Sequence, residues 1–237
     1  MKKLLTIAVA AFAITAVNAY TAQQVGVTTI SATSQNTIIP VPFTSLADSS
    51  APVTAKDLVK TTGLKENTWL LYFDGGKYNA WKLNASKIWE SGTYATTIPG
   101  ATVSPAANNL TVSAGGAMWI VLPDGESSAS ITVYGSYTGN NTSTVAAGKT
   151  MLVANPLQSS ATIATSGAVK GDKITFIANG VPTVYTYNKA GQWVTLTDNG
   201  TGELIPTQIS TIPLGAGFWC KASTSAITIT WTPAAGS

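Results

Sequence analysis

The chain contains no histidine and a single cysteine, and only 10% of its 237 residues are charged. Each scarcity removes a class of chemistry. Without histidine the protein lacks the commonest general base, proton shuttle and transition-metal ligand. The lone Cys220 cannot close a disulfide within the chain. Beside Trp219 it reads as a small apolar strand residue, with a reactive thiol or an intermolecular bridge as the alternatives. No basic run occurs, so the electrostatic footprint that nucleic acid or an anionic membrane requires is missing.

The one compact apolar run stands at the start. Lys2 and Lys3 precede Leu4 to Ile14, and Val17-Asn18-Ala19 has the small residues of a cleavage site. This is the layout of a bacterial export signal over 1–19, too short and too soon polar for a membrane span. The expected mature protein begins at Tyr20, has no integral span after signal cleavage, and works secreted, in the periplasm or on the cell surface. Removing Lys2 and Lys3 from 13 basic residues leaves 11 against 10 acidic ones, a mature charge of +1.

What is abundant is strand. Val25 to Ile30 is β-branched, and Ile38 to Phe43 is an apolar run whose Pro40 and Pro42 confine it to a sheet edge. Thr54 and Asp57 open the only plausible helix, near 54–63, which Gly63 would end. Thr68 to Phe73 and Lys77 to Leu83 flank Asp74-Gly75 as a short hairpin. Alternation in Ser130-Ile131-Thr132-Val133 and Thr228-Ile229-Thr230-Trp231 puts apolar residues on one face and hydroxyls on the other, the mark of antiparallel strands with one packed face. Ser91 to Asn109 reads as loop.

A glycine-and-aromatic motif occurs twice, as Gly115-Gly116-Ala117-Met118-Trp119 and Gly215-Ala216-Gly217-Phe218-Trp219. Other landmarks recur in the same order. Pro42 matches Pro156 at an offset of 114, Asp74-Gly75 matches Asn179-Gly180 at 105, and Trp89 matches Trp193 at 104; Trp119 matches Trp219 at 100 and Ile131 matches Ile227 at 96. A falling offset means extra residues in the loops of the first copy, where insertions leave strand register intact. The expected fold is all-β, with two duplicated antiparallel modules of sandwich or barrel type over 20–138 and 139–237. Short strands argue against an outer-membrane barrel.

Glycine beside tryptophan has two readings. Trp81, Trp119 and Trp219 can present flat faces to sugar rings, with Trp81 the one expected at the surface because Lys77, Asn79 and Lys82 surround it. Alternatively the glycines let one backbone pass close to another strand and the tryptophans are scaffold. Without histidine, catalysis would need paired carboxylates across a cleft. The densest acidic clusters, Asp124-Gly125-Glu126 and Asp198 to Glu203, sit in turn-like sequence and lack calcium-loop spacing. No nucleophile elbow, phosphate loop or dinucleotide fingerprint is present. The sequence therefore points to a non-catalytic structural or adhesive protein with no cofactor or metal, whose partners are cell-envelope components, copies of itself or glycans. Carbohydrate binding stands second and a glycoside hydrolase third.

Overall fold

In the alternating stretches Ile131 and Val133 are buried and the intervening Thr132 half-buried, while Ile227, Ile229 and Trp231 are buried around half-buried Thr228 and Thr230. Successive side chains leave a strand on opposite faces, so such a pattern buries one face of the sheet. The computed structural model describes residues 25–32, 36–47, 51–95, 103–112, 115–136, 141–157, 159–178, 181–198, 200, 203–209, 211–213 and 216–235. The expected signal segment and the landmarks Asn179, Gly180 and Gly215 lie outside these.

The chain is nearly all β, with one short helix among the described residues. Its first half carries β1 (Val25–Ala32), β2 (Asn36–Pro40), β3 (Val53–Thr54), helix α1 (Ala55–Leu58), β4 (Trp69–Phe73), β5 (Tyr78–Leu83), β6 (Trp89–Ser91), β7 (Val103–Pro105), β8 (Thr111–Val112), β9 (Ala117–Val121) and β10 (Ala129–Ser136). Its second half carries β11 (Thr142–Val145), β12 (Thr150–Ala154), β13 (Ala161–Ser166), β14 (Lys173–Ala178), β15 (Val181–Tyr187), β16 (Trp193–Asp198), β17 (Leu204–Gln208), β18 (Gly217–Lys221) and β19 (Ile227–Pro233).

One sheet runs β2-β9-β4-β5-β6, with β7 added in parallel against β5, and another runs β12-β18-β14-β15-β16-β17. Smaller groups are β1-β10, β3-β8 and β11-β19-β13. Ile30 and Ile131 from β1-β10 meet Ile39, Leu70, Trp81 and Met118 of the first large sheet in one buried cluster. Val145, Ile229 and Trp231 meet Val153, Ile174 and Phe218 in another. Each large sheet thus packs one face on its own smaller partner.

The registers of the two large sheets correspond. Ile38 and Leu71 both pair with Trp119, and Leu71 pairs with Ala80; Leu152 and Thr175 both pair with Trp219, and Thr175 pairs with Val184.

Several details depart from the sequence reading. Helix α1 is a single turn, not a segment reaching residue 63. Thr54 donates its hydroxyl to Asp57 instead of capping an N–H, and Val59 is already extended and bridges Val133. Tertiary pairing of Val59 outcompetes a helix too short to be stable alone. The first hairpin turns at Gly75-Gly76, not Asp74-Gly75. Phe73 pairs with Tyr78, the Asp74 N–H donates to the Lys77 carbonyl, and Asp74 Oδ1 accepts from the N–H groups of Gly76 and Lys77. By ladder register, Phe73-Tyr78 matches Ile177-Pro182 at an offset of 104, one less than the 105 expected from the hairpin landmarks. The expected loop 91–109 contains β7. Strand β2 ends at Pro40 on the sheet's edge, where a missing N–H interrupts no ladder.

Candidate functional site

Trp119 alternates with Met118 and Ile120, and Trp219 with Phe218 and Cys220. Since Met118, Ile120, Phe218 and Cys220 fill the two cores, both tryptophans emerge on the opposite face. There they meet. Ala117, Leu152 and Ala154 form a buried cluster with Ile38, Trp119 and Trp219 packed against it. The Trp219 ring stands edge-on to Phe73 at 5.1 Å and 86° and to Tyr78 at 6.1 Å and 89°. Edge-to-face pairs of this kind place the positive ring edge on the negative face of its partner.

The glycines explain how the halves come so close. Gly115 has φ +84°, and a Cβ there would lie 2.3 Å from the Thr142 carbonyl oxygen and 2.8 Å from Ser143 Oγ. A Cβ on Gly217 would lie 2.7 Å from Ile38 Cγ2 and 2.8 Å from the Val153 carbonyl. Gly116 bridges Val153 between the two large sheets. A hydrogen-bonded chain crosses the same boundary: the Trp231 indole donates to Ser143 Oγ at 2.9 Å, and Ser143 donates to the Gly115 carbonyl at 2.6 Å. Ser143 is buried, so both its partners depend on it. The twice-occurring motif is the joint between the halves.

Trp81 is not at the surface. Its side chain is fully buried in the first core, and its Nε1 has no hydrogen-bond partner. Polar neighbours in sequence misled because Lys82 leaves the opposite face of β5, with its Nζ 5.7 Å from the Trp69 ring. Asn79, on the Trp81 face, is itself buried and donates to Asp74 Oδ2 at 3.0 Å. Trp89 and Trp193 are buried, donating to the Val59 carbonyl and to Thr165 Oγ1. Pro42 and Pro156 are buried at the ends of β2 and β12. The half-buried aromatic pair that the sequence did not single out is Trp69 with Tyr94, centroids 5.3 Å apart.

Two of the acids, Asp74 and Asp172, hold turns. Burial works against ionisation of Asp74, but bonds from Asn79, Lys77 and Gly76, with the Lys77 charge, hold its carboxyl below the usual range. Buried Asp172 accepts from Ser223 N and Oγ and from the Val169 N–H, fastening two turns together. Burial, reinforced by the Asp172 charge, pushes the Cys220 thiol up to about 12, so the reactive thiolate is suppressed and the site fits a small apolar strand residue in the second core. Among the described residues no three His, Cys, Asp or Glu side chains gather as a metal site would need, and no helix is long and apolar enough to cross a membrane.

The halves differ after β6 and β16. Where β6 is followed by Tyr94 and β7, β16 continues into a two-stranded ribbon with β17. Strand β15 pairs with β16 only at Thr186-Val194 and Tyr187-Trp193, so the ribbon extends past its neighbour. Leu196 is 62% exposed, Leu204 59% and Ile205 42%, and every residue of β17 is exposed. The burial that normally stabilises a hairpin is missing there. No family model, curated protein or solved structure matches this chain.

Proposed function

We propose that this is an exported, non-catalytic β protein built from two duplicated modules and serving a structural or adhesive role at the cell envelope. The observation that carries the reading is how the recurrent aromatic motif is used: its glycines and tryptophans make a joint, while Asp74 and Asp172 fasten turns. Duplication is supported by backbone bonds at matched positions. The Val41 N–H donates to the Gly116 carbonyl and the Asn155 N–H to the Ala216 carbonyl, both at 3.0 Å, offsets of 114 and 100 that equal those of Pro42-Pro156 and Trp119-Trp219. A locked pair of modules with a sparsely charged, hydroxyl-rich surface suits a building element better than a cleft enzyme.

The test is fractionation of producing cells. The mature protein should be retained with the envelope; recovery entirely as free protein in the medium would contradict a structural role there. Carbohydrate binding is the second reading, favoured by the half-buried Trp69-Tyr94 pair with Lys82 beside it. A glycan array with no hits removes it.

A further inference from the structure

We infer that the outer face of β14–β17 is a self-association surface, on which a second copy of this chain packs face to face. The inference rests on the structural reading above and names the surface that would serve it. In antiparallel pairs, opposed residues share a face. The face that bears Trp219 therefore also bears Thr175 and Val184 through direct pairing, and Ile177, Leu196 and Leu204 by alternation. Ile177 and Val184 are each 41% exposed, and with Leu196 and Leu204 they put a patch of four exposed apolar side chains on that face.

The first half shows what such a face accepts. By register, Ile177, Pro182 and Val184 stand where Phe73, Tyr78 and Ala80 stand in the first sheet. Those three lie under or beside Trp219, with Tyr78 and Ala80 buried. That face is covered by Trp219 of the other half together with the first half's own Tyr94 and Val103, whereas its counterpart lies open and runs on from the joint. A second chain supplies such a cover. Ile177, Val184, Leu196 and Leu204 are uncharged, as are Thr175, Pro182 and Pro206 beside them, and the charged register positions, Lys173 opposite Thr186 and Asp198 opposite Leu204, stand at the two ends and are of opposite sign. Pro206 in β17 has no N–H to offer, which discourages strand-to-strand addition at the edge and favours packing through the face.

Sedimentation velocity of the mature chain over a micromolar concentration series provides the test, with Leu196→Asp, Leu204→Asp and Ile88→Asp as variants. Ile88 is 59% exposed away from the patch and serves as the control. The wild type and Ile88→Asp should form dimers, and the two ribbon variants should dissociate at least about tenfold more readily, a change of ~1.4 kcal/mol. Circular dichroism confirms that each variant is folded. A wild type that stays monomeric throughout, or dimers indifferent to both ribbon substitutions, would overturn the inference. So would a monomer that floats with phosphatidylethanolamine–phosphatidylglycerol vesicles through Leu196 and Leu204, since the face would then be a lipid contact. Envelope retention is scored separately: a retained monomer defeats only the self-association surface, and a released dimer defeats only the structural reading.

Discussion

Gly115→Ala should lower the melting temperature by roughly 4–20 °C, at ~2–4 °C per kcal/mol for a chain of this size. Two costs combine. Holding a non-glycine residue at φ +84° costs roughly 1–2 kcal/mol. Forcing a methyl to 2.3 Å from the Thr142 carbonyl displaces packed backbone, at a cost of about 1–3 kcal/mol. Gly125 separates them, because it has the same φ of +84° and nothing within 4 Å of its Cβ position. Gly125→Ala should therefore pay only the conformational cost. Calorimetry reads both variants. Because the clash lies between the halves, Gly115→Ala should also broaden or split the transition as two-state behaviour fails. Equal losses for the two variants would show that Gly115 serves no close approach.

Ser143→Ala should cost about 2–4 kcal/mol in denaturant unfolding, although it removes one oxygen from a chain of 237 residues. It leaves the Trp231 indole N–H and the Gly115 carbonyl without the partner they now share, and an orphaned buried group costs ~1–3 kcal/mol. In a Trp231→Phe background the indole N–H is already gone, so the same substitution should cost less by about 1–2 kcal/mol. Full additivity would mean that the bond from Trp231 to Ser143 is not formed in solution.

The sequence made the β class, the edge position of Ile38–Pro40 and the packed faces of β10 and β19 legible, because period-two alternation and proline chemistry are local properties. Strands β13 and β17 escaped notice. Ala161-Thr162-Ile163-Ala164-Thr165-Ser166 and Leu204-Ile205-Pro206-Thr207-Gln208 have weak or interrupted alternation, and β13 pairs with the distant β19. Trp81 was misplaced by weighing its sequence neighbours instead of its strand face. The same alternation, applied to Met118-Trp119-Ile120 and Phe218-Trp219-Cys220, sets each tryptophan opposite the core residues that flank it. What faces that side is a contact between halves, which no local pattern encodes. The glycines carried a signal for close approach but did not name the neighbour.

A double-mutant cycle on Phe73 and Trp219 tests the joint most directly. Each is truncated to alanine, singly and together, and stability is read by denaturant unfolding. Rings at 5.1 Å and 86° should give a coupling of about 0.5–1.5 kcal/mol. Additivity to within ~0.3 kcal/mol would contradict the account, for Trp219 would then be free of the first half and available as a binding platform.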